Sequence, residues 1–204
     1  MVAFSAKKIN LLNKNTILVV SGLPRSGTSL MMQILRQAGI PLLVDDQRTA
    51  DESNPQGYFE YQPVKKLKTD ASWLPLSLGK AVKIVSPLLF YLPDHFEYKI
   101  IFMTRQLDEI IVSQNKMLKN QQAFTNEEQA KIRQQLAHHL LQVHQYLVYK
   151  KNMQVVKIDF NHLIKNPEAE LLRLVQFLGV TISIEKLKTV IKPDLYRSRL
   201  ENKE

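Results

Sequence analysis

The sequence predicts an α/β fold of three layers, with helices on both faces of a central parallel sheet of about five strands. Three features carry this expectation: short β-branched apolar runs, amphipathic helical stretches alternating with them, and a glycine-containing turn that joins the first run to the first helix. The chain has 204 residues, 45% hydrophobic and 23% charged, which suits a single domain over residues 1–204.

Thr16 to Ser21 (TILVVS) is the first strand, and a helix is expected from about Thr28 to Gln37 after the turn. Ile40 to Val44, Ala81 to Val85, Lys99 to Met103 and Gln154 to Ile158 have the length and residue types of buried parallel strands. Asp45 to Pro63, with Asn54, Pro55 and Gly57, and Asp70 to Gly79, around Trp73, read as irregular loops, and loops of that size in a compact domain are often functional. Thr125 and Glu128 form a capping box ahead of an apolar stripe of Ile132, Leu136, Leu140, Val143 and Leu147. Asn166 and Pro167 start a last long helix, whose Leu171, Leu174, Val175 and Leu178 face the core before Gly179 ends it.

Composition excludes several functions. There is no cysteine, so disulfides, thiolate-ligated zinc and a cysteine nucleophile are ruled out. MVAFSAKKINLLNKN at the start does not read as a secretory signal, and no apolar run approaches the roughly 20 residues of a membrane-spanning helix. A soluble cytoplasmic protein is expected, with no membrane partner. The formal net charge is +9. Its lysines are scattered, without interleaved aromatics or helix-turn-helix or zinc-finger spacing, so an anionic small molecule is a better partner for it than nucleic acid.

Gly22 to Ser29 (GLPRSGTS) lies between a strand and a helix, where a phosphate-cradling loop is built from converging backbone N–H groups and the helix N-terminus. It departs from the triphosphatase pattern G-x-x-x-x-G-K-[ST], because Thr28 stands at the lysine position. ATP or GTP hydrolysis is thereby disfavoured. The cation has moved to Arg25, where it can meet charge developing on a bridging or leaving oxygen. A glycine-containing turn with an exposed arginine is the bland alternative.

PRSGTS in Pro24 to Ser29 resembles the 5′-phosphosulfate-binding loop of sulfotransferases, especially the bacterial and tyrosylprotein-type members. The resemblance implies a P-loop sulfotransferase-like fold and 3′-phosphoadenosine 5′-phosphosulfate (PAPS) as co-substrate, with Arg25, Ser26, Gly27, Thr28 and Ser29 contacting its phosphosulfate end. Cytosolic members carry lysine at Arg25 and an adenine-stacking tryptophan at Leu30. Arg105 at a strand end and Ser113 on the next helix, eight positions on, resemble the family's 3′-phosphate motif. An arginine fork suits a phosphate because it donates two parallel charge-assisted hydrogen bonds. Taken alone, Arg105 and Ser113 read equally as a sheet-edge cap and a neutral helix residue.

Val155 to Val180 resembles the family's strand, acidic turn and terminal helix ending in FLG, with Asn161 and His162 in place of the acidic pair. Arg197 and Arg199 are the weak counterparts of the C-terminal phosphate motif. Lys83-Ile-Val-Ser-Pro87 matches a Lys-Thr-His-Leu-Pro segment in which Lys83 survives and Val85 replaces the catalytic histidine.

Sulfuryl transfer needs in-line placement, a neutralised leaving group and a base, and no metal. Glu60, in Asn54 to Glu60 (NPQGYFE), resembles the NPxGYxE of bacterial members and is the favoured base, with Arg25 and Lys83 at the leaving group. A surface carboxylate, or the salt-bridge partner of a lysine, is the other reading of Glu60. His138, His139, His144 and His95 are poorer candidates, and Trp73 either lines an acceptor pocket or anchors its loop to the core.

The expected activity is sulfuryl transfer from PAPS to an acceptor hydroxyl or amine on a small molecule, glycan or peptide. The alternatives are a non-catalytic PAPS-binding module and a divergent nucleotide kinase. A chain this compact for the family implies an open site, or a homodimer whose second subunit completes it.

Overall fold

The computed structural model describes residues 15–45, 47–48, 57–117 and 124–192. Within them lie strands β1 (Thr16–Gly22), β2 (Ala81–Lys83), β3 (Glu97–Thr104) and β4 (Met153–Asp159). The helices are α1 (Thr28–Gln37), α2 (Leu107–Met117), α3 (Asn126–Tyr149), α4 (Phe160–Lys165), α5 (Pro167–Leu178) and α6 (Ile184–Lys188). Short 3₁₀ helices at Gln62–Lys66, Leu74–Ser77 and Ser86–Tyr91 fill the two connections around β2.

The strands form one parallel sheet in the order β2-β1-β3-β4, so the fold is α/β as expected, with four strands in place of five. Ile40 to Val44 contributes only a single bridge, Leu42 to Ala81, flanked by the Leu43 N–H on the Ala81 carbonyl and the Ala81 N–H on the Pro41 carbonyl, both 2.8 Å. Pro41 has no N–H to give and restricts the residue before it, so the edge pairing cannot extend backwards along the chain. The predicted strand Ala81 to Val85 likewise stops at Lys83, where the chain turns into the helix opened by Ser86 and Pro87.

Side-chain alternation divides the core between the two faces. Leu18, Val20, Ile101, Met103 and Ile158 point to the face covered by α1, α4, α5 and α6. Ile17, Val19, Val82, Ile84, Ile100 and Phe102 point to the other, with Trp73, Leu74, Val143 and Leu147. The predicted capping box of α3 forms: Thr125 Oγ1 accepts from the Glu128 N–H at 3.2 Å and Glu128 Oε2 accepts from the Thr125 N–H at 2.7 Å. Only Val143 and Leu147 of its stripe are fully buried, because just the C-terminal half of the helix lies against the core. Among the described residues no helix is long and apolar enough to cross a membrane.

In such a sheet, ligands bind beyond the carboxyl ends of the strands, where neighbouring connections run to opposite sides. β1 is that place here, since the chain leaves it for β2 on one side and β3 pairs it on the other. The β1–α1 loop is as tight as its glycines permit. A Cβ on Gly22 would lie 2.5 Å from Ser26 Oγ and 2.6 Å from the Met103 carbonyl, and one on Gly27, at φ 98°, would lie 2.3 Å from the Phe160 ring. Gly27→Ala therefore combines a left-handed backbone with a clash against a core aromatic, and a loss of about 2–4 kcal/mol in urea-denaturation stability is expected.

Candidate active site

Arg25 sits at the tip of the β1–α1 loop in the left-handed region, φ 72°, a strained conformation for a side-chain-bearing residue. The turn is closed by the Ser26 N–H donating to the Leu23 carbonyl at 3.1 Å. Arg25 Nε donates to Ser113 Oγ at 2.9 Å, and Arg105 Nη1 donates to the Arg25 carbonyl at 2.9 Å. The structure therefore joins the loop to the Arg105/Ser113 motif across 88 residues of sequence.

Arg105 is held from below. Its Nε donates to Glu109 Oε2 at 2.9 Å, its guanidinium lies 4.6 Å from the Phe160 ring centroid, and both ion-pair side chains are nearly inaccessible, at 6% and 3%. Asn161 Nδ2 donates to the same Glu109 oxygen at 3.0 Å, and Asn161 Oδ1 accepts from the Gln106 N–H at 3.4 Å. Asn161 thus satisfies a buried carboxylate in the place where the sequence comparison expected an acid. His162 is exposed, and its backbone N–H donates to Asp159 Oδ1 at 2.9 Å.

A second group stands on the other side of the loop. Lys83, at the end of β2 and 8% exposed, donates its ammonium to the Tyr58 carbonyl, which also accepts from Ser29 Oγ at 3.4 Å. Glu60 Oε1 lies 3.6 Å from Lys83 Nζ and 2.8 Å from Arg48 Nη1. The Arg48 guanidinium in turn lies 3.3 Å from the Tyr58 ring centroid. Burial pushes the Lys83 ammonium down to about 8, with nearby Arg48 adding to the depression and Glu60 opposing it.

All of the predicted site residues that bear on the loop therefore meet at one edge of the sheet. Arg25, Ser113 and Arg105 form one end, Ser29, Lys83 and Glu60 the other, with Ser26, Gly27 and Thr28 buried or close-packed between them. Arg197, Arg199, Asn54 and Pro55 lie outside the described residues. Trp73 is 5% exposed and packs edge-on against Tyr61 at 5.5 Å, so it anchors its loop in the core. His138, His144 and His95 are exposed, while His139 bonds Ser86 Oγ at 2.9 Å and is lowered by burial. Sequence reasoning missed the roles of Arg48, Tyr58, Glu109 and Phe160; of these only Glu109, four residues after Arg105, which lies just before α2, left a spacing signal.

A family model described as the sulfotransferase domain matches residues 15–198. The chain belongs to the sulfotransferase domain family. No curated protein matches it in sequence. Among solved structures, this sulfotransferase domain resembles the sulfotransferase domain of the Synechococcus PCC 7002 olefin synthase, with a TM-score of 0.53 and 14% identity over 97% of this chain and 93% of that one. Also similar are mouse sulfotransferase SULT7A1 complexed with PAP (TM-score 0.46, 15% identity, 88% of this chain and 63% of that chain) and the sulfotransferase domain from the curacin biosynthetic pathway (TM-score 0.48, 14% identity, 88% and 79%). At these identities the likeness to the olefin synthase domain shows a common fold.

Two outcomes are expected. Glu109→Ala removes the buried carboxylate paired with Arg105 and should cost about 3–5 kcal/mol in chemical denaturation, far more than loss of an exposed pair. Lys83 adds a pH dependence of its own. Its pKa is lowered on folding, so the penalty of burying the ammonium is fully present below pH 8 and is relieved as pH rises from about 8 to 10.5. If its positive charge serves the reaction, kcat/KM falls above about pH 8, and the limb moves up in kcat once an anionic donor sits beside it.

Proposed function

We propose that this sulfotransferase domain moves a sulfuryl group from PAPS to an acceptor hydroxyl or amine. The observation that supports this reading best is the hydrogen bond between Arg25 and Ser113, which brings the loop and the Arg105/Ser113 motif together as the two ends of one bisanionic ligand site.

The residues present fit such a donor. Ser26 Oγ is buried, at 1% residue exposure, with no hydrogen-bond partner among the described residues, the state of a hydroxyl awaiting an oxyanion. Gly22 and Gly27 admit no side chain, so the loop's N–H groups are left to face a ligand at the start of α1. Arg105 and Ser113 would hold the 3′-phosphate, and Ser26, Thr28 and Ser29 the 5′-phosphosulfate. The donor supplies an activated sulfuryl group and a phosphate leaving group.

The chain's own contribution is electrostatic and acid–base. Lys83, in a low-dielectric position, presents positive charge where the bridging oxygen gains negative charge, and a preorganised cation there favours the transition state over the ground state. Arg25, parked on Ser113, is the second cation within the loop. Glu60, ordered by Lys83 and Arg48, is the carboxylate nearest that ammonium and takes the acceptor's proton.

The test pairs calorimetry with 3′,5′-ADP and a labelled-sulfate transfer assay across acceptors. Glu60→Gln should lower transfer by about 10² to 10⁴ at saturating donor and acceptor while 3′,5′-ADP affinity stays near that of the parent chain. A Glu60→Gln protein with full turnover would overturn the assignment of the base, and binding without any turnover in the parent would make the chain a donor-binding module.

A further inference from the structure

We infer that Arg48 reads the acceptor: the chain takes acceptors that carry an anionic group close to the reacting hydroxyl or amine, and that anion draws Arg48 away from Glu60. The inference rests on Glu60 as the base proposed above.

The geometry that leads to it is the sharing of one oxygen. Arg48 Nη1 and Lys83 Nζ both approach Glu60 Oε1, at 2.8 and 3.6 Å. A proton delivered to that oxygen meets two positive charges, and the lone pair directed at Arg48 is already used. Charges 2.8 Å apart and only partly exposed are weakly screened, so the conflict is not a small one. With both cations in place the Glu60 oxygen that faces Lys83 is already engaged. Lys83 cannot leave, since it is 8% exposed and tied to the Tyr58 carbonyl.

Arg48 can. Its side chain is 39% exposed against 20% for Glu60, so it is the outermost of the three groups and the first that an entering acceptor meets. The Tyr58 ring, 3.3 Å from the guanidinium, offers a second resting surface that keeps the arginine at the mouth of the site when its ion pair opens. A planar guanidinium there selects for a carboxylate, sulfate or phosphate that can take its paired N–H donors in place of Glu60. A neutral acceptor offers no such exchange and finds Oε1 of the base still held by Arg48.

The coupled step is balanced. The acceptor's oxygen or nitrogen forms the new bond to sulfur as its proton passes to Glu60. The bond from sulfur to the bridging oxygen breaks, and its electron pair leaves on the 5′-phosphate of 3′,5′-ADP beside Lys83. The anionic group of the acceptor stays paired with Arg48 and is unchanged in the product.

The test uses hydroxyl and amine acceptors in matched pairs, each a free acid and its amide, with PAPS and the full chain. They are run on the parent, Arg48→Ala, Arg48→Gln and Glu60→Gln proteins, with 3′,5′-ADP titration as the check that the donor site is intact. The parent should prefer the acid of a pair. Both Arg48 variants should lose that preference by about ten- to a hundredfold, the range for a charge-assisted hydrogen bond, chiefly through a higher KM for the acid. They should also turn over the amide several-fold faster than the parent does, a gain that a merely structural role for Arg48 would not produce. An unchanged acid-to-amide ratio in both variants, with Glu60→Gln inactive, overturns this inference and leaves the base assignment standing. Full activity of Glu60→Gln overturns the base assignment instead.

Discussion

Much of the site is organised by the buried ion pair between Arg105 and Glu109. Removing two charges from water is costly, and the cost is offset only when the remaining donors and acceptors are met. Here Asn161 donates to the carboxylate, the Arg25 carbonyl accepts from the guanidinium, and the Phe160 ring lies against its face. Those partners come from the start of α4 after β4 and the loop after β1, while Arg105 and Glu109 themselves follow β3. One satisfied charge therefore fixes the relative positions of three strand ends, which local backbone preferences could not do.

Phe160 acts in two ways at once. It supports Arg105 and, from the other side, fills the space that a side chain on Gly27 would need. The loop is left with a glycine at φ 98°, an arginine at φ 72° and a buried serine hydroxyl without a partner among the described residues. Each is unfavourable by itself, and such strain persists only where the surroundings over-determine it. A loop held this way is preorganised, so little ordering remains to be done when an anion arrives.

The layers, the four main strands and the caps were legible in the sequence because each depends on neighbours within a few residues. Thr125 with Glu128 and Pro167 with Gly179 fixed their helices through local hydrogen bonds and backbone preference, and the β-branched runs of β1, β3 and β4 were long enough to be unambiguous. The fifth strand was not, because whether Ile40 to Val44 pairs over its length depends on Leu42 facing Ala81 with Pro41 beside the bridge, a relation between distant residues. The site divides the same way. Arg25, Arg105, Ser113, Lys83 and Glu60 stood in spaced motifs. Tyr58 lay inside NPQGYFE and Phe160 inside Val155 to Val180, but their roles, like that of Arg48, come from tertiary packing, and Asn161 could be placed by resemblance but not given its carboxylate partner.

The two ends of the site differ in how firmly their charges are held, and the difference follows from burial. Arg105 and Glu109 are closed off from solvent and paired with each other, so their charges are fixed in position. Lys83, Glu60 and Arg48 grade outward from 8% to 20% to 39% exposure, and the hold on each charge weakens along that series. Burial lowers the innermost ammonium to about 8, which leaves it mostly charged near neutral pH yet close to releasing its proton. An anionic donor next to it shifts that balance back towards the charged form, because opposite charge at short range outweighs lost hydration. On the proposed reading the inner cation would be strengthened by the donor, while the outer one, paired with Glu60, would be claimed by the acceptor's anion. A site with three groups of alternating sign can respond to two anions in turn only if its innermost member is buried and its outermost is not, and this is the order in which the chain places them.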